Sequence, residues 1–114
     1  MIRTLRIIFT LHFLIMFGTT VWASMQTPIW AIPDVVLDDP WFMATLIDAY
    51  LGFLTFFVWV AYKETTLLRQ AAWFIGIMLL GNMAMAAYVL KETFRMNATS
   101  TIQDFLVQRC PQNP

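Results

Sequence analysis

Charge is absent from residues 7–33 and again from 70–90, and between Asp39 and Lys63 only Asp48 interrupts an apolar run. Each stretch is as long as the roughly twenty residues a helix needs to cross a hydrocarbon core about 30 Å thick. The 114-residue chain is 60% hydrophobic and 12% charged, too little polar surface to cover a water-facing exterior. The pattern predicts an all-α integral membrane protein, a single membrane domain over 1–114. Three transmembrane helices are expected at about 6–25, 41–62 and 70–91, with an outer loop over 26–40 and a tail over 92–114. A soluble monomer and a disordered chain do not fit this composition. Seven basic residues balance seven acidic ones, so there is no cationic field for nucleic acid. The single cysteine, Cys110, cannot close an intramolecular disulfide.

The first run admits a second reading. Arg3 and Arg6 precede it, and Val21-Trp22-Ala23 could serve as the cleavage site of a secretory leader. The run is long for a leader core and contains Thr10, His12, Thr19 and Thr20, which favours a retained helix. The rest of the topology is the same in both cases.

Basic residues set the direction. Arg3 and Arg6 precede the first span, and Lys63 and Arg69 lie between the second and third. Residues 24–40 hold Asp34, Asp38 and Asp39 but no Lys or Arg. The positive-inside rule then puts the N-terminus and the 63–70 loop on the cytoplasmic side, with 24–40 and the C-terminal tail outside. Lys91 and Arg95 run against this assignment. Trp22, Trp30 and Trp41 fall where the outer interface should be, and Trp59, Tyr62 and Trp73 at the inner one.

Local signals mark some element ends. Asp39 followed by Pro40 is a helix start, with a capping carboxylate and a proline where a missing N–H costs nothing. Ser100 with Gln103 resembles a capping box, and Ile102, Phe105 and Leu106 follow at helical spacing, predicting a short amphipathic C-terminal helix. The two prolines beyond Cys110 read as a frayed end. No internal repeat is evident.

Within the spans the few polar residues recur at intervals of three and four, which puts them on one face of each helix. Counting 1.5 Å per residue from the span ends brings Asp48, Asn82 and Thr19 to one depth, with Thr45 a turn from Asp48. They are expected to form an intramembrane polar cluster. An ionisable residue inside a span is a functional candidate, and the plainer reading is a hydrogen-bonded packing network. His12 is a weak ligand candidate for haem or a chlorophyll-type pigment, with an interhelical hydrogen bond as the plainer role. Otherwise no cofactor is implied. Asp34, Asp38 and Asp39 serve more simply as caps and loop charges than as ligands, so no metal site is expected. Tyr62, Lys63 and Glu64 form an inner-face charged turn suited to headgroup contact. Asn97-Ala98-Thr99 fits a glycosylation acceptor. Cys110 has no activating partner except Arg109, and no nucleophilic triad can be assembled.

The segment Trp41-Phe-Met-Ala44-Thr45-Leu46-Ile47-Asp48-Ala-Tyr50, followed by Trp59-Val60-Ala61-Tyr62-Lys63-Glu64, resembles a family of small membrane proteins of plants and bacteria catalogued as domain of unknown function 1475. The likeness covers about residues 40–92 and includes Gly81 and Tyr88. It implies architecture and no chemistry, and it places Asp48 and the Tyr62-Lys63-Glu64 turn within the family's motif segments. The expected function is that of an accessory subunit associating with membrane lipids, a larger membrane complex or further copies of itself. The alternative is a lipid- or isoprenoid-binding protein or enzyme that uses Asp48 in an intramembrane pocket. A cavity of several hundred Å³ reaching Asp48 would favour the alternative.

Overall fold

A computed structural model of the chain describes residues 1–97 and 99–110. Among the described residues there are helices and no strands: α1 (Ile2–Gln26), a 3-10 turn (Ile29–Ala31), α2 (Asp34–Leu37), α3 (Pro40–Lys63), α4 (Leu67–Leu80), α5 (Asn82–Arg95) and α6 (Ile102–Val107). Ala98, in the middle of the glycosylation pattern, and the prolines beyond Cys110 lie outside the described residues.

The starts and stops follow from local chemistry. α1 ends at Gln26, and the extended backbone of its cap, Thr27, suits a residue ahead of Pro28. Asp39 caps α3 as expected, its carboxylate accepting from the Trp41 N–H at 2.8 Å, with Pro40 in the first turn. The C-terminal helix forms, but its capping box is one residue further on. Thr101 accepts from the Asp104 N–H at 3.1 Å, and the Asp104 carboxylate accepts from the Thr101 N–H at 3.2 Å.

Two helices, α1 and α3, are long and apolar enough to cross a membrane, not the expected three. The run over 70–91 is broken at Gly81, whose backbone sits at φ 57° and ψ −122°. No side chain fits there for two reasons. The positive φ strains any L-residue, and a Cβ would lie 2.7 Å from the Phe53 ring. The chain turns back at Gly81, so α4 and α5 form an antiparallel hairpin. Trp73 and Tyr88 meet across it with ring centroids 4.9 Å apart, and Ile77 and Ala84 share a core cluster nearer the turn. Each arm has 14 residues, about 21 Å of helix and too short to span.

That turn moves the tail. Expected on the side opposite the N-terminus, residues 99–110 lie instead at the same end as residues 1–6 and the 63–67 loop. Ile2 packs with Val89, Met96 and Phe105 in one buried cluster. Arg6 donates to the Thr93 carbonyl at 2.8 Å and the Met96 carbonyl at 3.0 Å, so α1 runs antiparallel to α5. The Cys110 N–H donates to the Lys63 carbonyl at 2.8 Å. All seven basic residues of the chain, every one among the described residues, therefore share one end with Glu64, Glu92 and Asp104. The other four carboxylates, Asp34, Asp38, Asp39 and Asp48, lie toward the opposite end, so a chain of zero net charge carries +4 at one end and −4 at the other.

The core gathers at the basic end. Ile2, Val60 and Tyr88 are fully buried there. Trp59 and Trp73, expected as interface anchors, instead pack edge-on against Tyr88 at 5.5 and 4.9 Å. Trp22, Trp30 and Trp41 remain exposed.

Candidate functional site

The basic end holds a buried ionic cluster. α3 delivers Lys63 as its last residue and Glu64 as its C-cap, and one face of the last turns of α5 delivers Tyr88, Lys91, Glu92 and Arg95. Residues 105–110 close over them. Burying charge costs several kcal/mol per ion unless each is paired and hydrogen-bonded. Here the pairing is crosswise. Lys63 Nζ lies 2.9 Å from Glu92 Oε1, and Lys91 Nζ pairs with Glu64 Oε1.

Lys63 is fully satisfied. Its ammonium donates to the Phe105 carbonyl at 2.6 Å, to the Gln108 carbonyl and to Glu92, which uses its three protons. The Trp59 and Phe105 rings stand 5.7 and 5.9 Å from the same nitrogen. Glu92 also accepts from Arg95 Nη2 at 3.0 Å and Nε at 3.3 Å, and from the Cys110 thiol at 3.4 Å. Burial alone would raise the Glu92 carboxyl, but the bonds and charges of Arg95 and Lys63 outweigh it and hold it at about 2. Lys91 reaches 4.7 Å from the Tyr88 ring centroid and 5.8 Å from that of Trp73.

Two buried oxygens, Glu64 Oε2 and the Tyr88 hydroxyl, make no hydrogen bond of good geometry among the described residues. Glu64, Glu92 and Cys110 bring three possible metal-ligating atoms within 4.8 Å of one another. The arrangement nevertheless disfavours a cation. Lys63, Lys91 and Arg95 outnumber the two carboxylates and already pair with both. Burial and the neighbouring Glu92 push the Cys110 thiol up, away from the thiolate that binds metal. The chemistry of the cluster is that of a clasp: it ties the ends of α3 and α5 to the tail.

The Tyr62-Lys63-Glu64 turn is thus placed differently from the headgroup-facing loop expected of it. Lys63 and Glu64 expose nothing. Tyr62 stays exposed and donates its hydroxyl to the Val107 carbonyl at 3.0 Å, while its own carbonyl accepts from Arg109 Nε at 2.8 Å. The side chains expected to cluster in the span are not brought together. Asp48, Asn82, Thr19 and Thr45 are all exposed, and no hydrogen bond among the described residues joins any two of them. Thr45 donates to the Trp41 carbonyl of its own helix at 2.8 Å. Asn82 stands at the hairpin tip, the first residue of α5. His12 stacks on Phe9 with centroids 5.8 Å apart and lines a shallow hollow formed by α1 alone.

Lys91, Glu92, Arg95 and Cys110 belong to no site expected from the sequence, where Cys110 is set aside as a nucleophile and Lys91 and Arg95 count only against the orientation. One signal was available. Lys91 and Arg95 stood on the wrong side of a three-span topology, and the contradiction disappears once the third run turns back.

No curated protein and no solved structure matches the chain. The model of the family described as "Protein of unknown function (DUF1475)" matches residues 1–110, reaching beyond 40–92 into the first helix and the tail. The chain belongs to that family.

Proposed function

We propose that this is a small integral membrane protein that works by associating with other membrane components. The observation that carries the reading is Asp48. It lies on the apolar α3, exposed, in the half of that helix that the hairpin leaves uncovered, with Ile47, Leu51 and Leu54 exposed beside it. A carboxylate on such a face, within a bilayer, is costly without a partner, and none of its own helices supplies one. A neighbouring chain with a polar or basic group at that depth would.

The distribution of charge supports the setting. The spanning-length windows of α1 and α3 are 0% and 6% buried, so their apolar surface needs lipid or a partner. With every basic residue at one end, the positive-inside rule places that end, and both the N-terminus and the tail, in the cytoplasm. The packing of Ile2 and Arg6 against α5 supports α1 as a retained helix over a cleaved leader.

Alkaline extraction of membranes followed by mild-detergent purification tests the reading. The chain is expected to stay with the membrane and to co-purify with a larger assembly or its own oligomer, and Asp48→Ala is expected to weaken that association. Release at alkaline pH would overturn it. The enzyme alternative built on Asp48 has less support, because the cleft of about 550 Å³ between α1, α4 and α5 does not include that residue.

A further inference from the structure

The cleft between α1 and the hairpin has no role in the clasp. It is open on one side, about 550 Å³ in volume and within the range of ligand pockets, with walls that are almost wholly apolar. Phe13 and Phe17 of α1 form one wall, Ala72 and Gly76 of α4 another, and Ala84 and Ala87 of α5 the third. Small residues on both hairpin arms leave the space, and at Gly76 an added Cβ would meet nothing within 4 Å. Between Ala72 and Leu80 the cleft follows α4 for about 12 Å along the helix axis.

Charge waits at one end of it. Arg69 precedes Ala72 and Trp73 by three and four residues, so it continues the same face of α4 one turn nearer the basic end. Lys91 stands in the same relation to Ala87 on α5. Trp73 lines the cleft and also faces Lys91, with 5.8 Å from Nζ to the ring centroid, so the cation borders the apolar wall directly. Lys91 is where the ionic cluster reaches the surface. Its side chain is 38% exposed, whereas its partners Glu64 and Glu92 are at 0%. Among the described residues the cluster carries three cations against two carboxylates, an excess of positive charge at the mouth of an apolar groove.

We propose that this cleft holds one acyl chain of an anionic glycerophospholipid, with the phosphate against Lys91 and Arg69 and the indole of Trp73 at the level where head meets tail. Basic pockets between membrane helices on the cytoplasmic side are suited to anionic headgroups, and an amphipathic indole prefers that depth. The site rests on the reading of the chain as a membrane protein.

The test is native mass spectrometry of the full chain, released from nanodiscs containing equal amounts of phosphatidylglycerol and phosphatidylcholine. The chain is expected to retain one phosphatidylglycerol, with about a thirtyfold preference over phosphatidylcholine from two cations at the surface. Gly76→Leu, which fills the cleft where there is open space, is expected to abolish retention of either lipid. Arg69→Gln leaves the cleft intact and is expected to cut the preference to about fivefold, the share left to Lys91. Equal retention of the two lipids by the unaltered chain would overturn the proposal. So would unchanged retention in Gly76→Leu, or an unchanged preference in Arg69→Gln should Gly76→Leu fail to fold. A lipid-free dimer that Gly76→Leu dissociates would assign the cleft to a second copy and overturn it equally. Alkaline extraction separates the two levels: a chain that stays in the membrane without selecting phosphatidylglycerol loses only this site.

Discussion

Lys63 Nζ and Glu92 Oε1 are 2.9 Å apart, and neither side chain exposes any surface. Lys91 and Glu64 repeat the pair in the opposite sense, so residues 63–64 and 91–92 exchange partners across the base of the hairpin. Removing one member strands a buried charge. Glu92→Leu should destabilise the chain by about 3–5 kcal/mol, and the double change Lys63→Met with Glu92→Leu by distinctly less. Thermal unfolding in detergent measures both, and equal losses in the single and double variants would argue against the pairing.

Glu92 also sets an acid limit. Its carboxyl is held at about 2 in the fold, against 4.5 for the unperturbed group. A depressed carboxyl contributes stability that is complete above its unfolded value and is lost as pH falls toward the folded one. Unfolding temperature should therefore drop between about pH 4.5 and 2, by the equivalent of roughly 3 kcal/mol, and the drop should be much smaller in Glu92→Gln. Parallel profiles for the two proteins would mean that another group is responsible.

Gly81 is answerable for the turn. Gly81→Ala should cost about 1–3 kcal/mol from backbone strain and a similar amount from the clash with Phe53. Adding Phe53→Leu should return the second part and leave the first. Full recovery in the double variant would show that the positive φ is not a constraint.

Sidedness separates a hairpin from a third crossing. Reporters fused at the N-terminus and after the tail should label from the same side of the membrane, with a reporter between Gln26 and Asp34 labelling from the other. Opposite labelling of the two termini would restore the straight span over 70–91.

What could be read directly from the chain was the chemistry that acts over three or four residues. Asp39 and Pro40 start α3 where expected, and the apolar lengths of α1 and α3 are plain. The capping box was displaced by one residue because Ser100 with Gln103 and Thr101 with Asp104 offer the same spacing, and in the fold the Ser100 hydroxyl accepts from the Asn97 N–H instead. Gly81 was missed because an isolated glycine in an apolar run is often only a weak spot in a helix. Its consequence depends on Phe53, 28 residues earlier, which no local pattern reports. The clasp was hidden for the same reason, although Lys-Glu-Thr occurs at both 63–65 and 91–93. The side chains of the expected polar cluster were placed by depth alone. Depth along an axis says nothing of which way a face is turned, and Asp48 is exposed.

Because the hairpin tip reaches only the level of Phe53, α1 and α3 alone continue toward the acidic end. Set in a bilayer as proposed, the molecule takes up four helical cross-sections of the cytoplasmic leaflet and two of the other. Such a body is tapered: it displaces more lipid on one side than on the other, and its fit depends on how tightly each leaflet is packed.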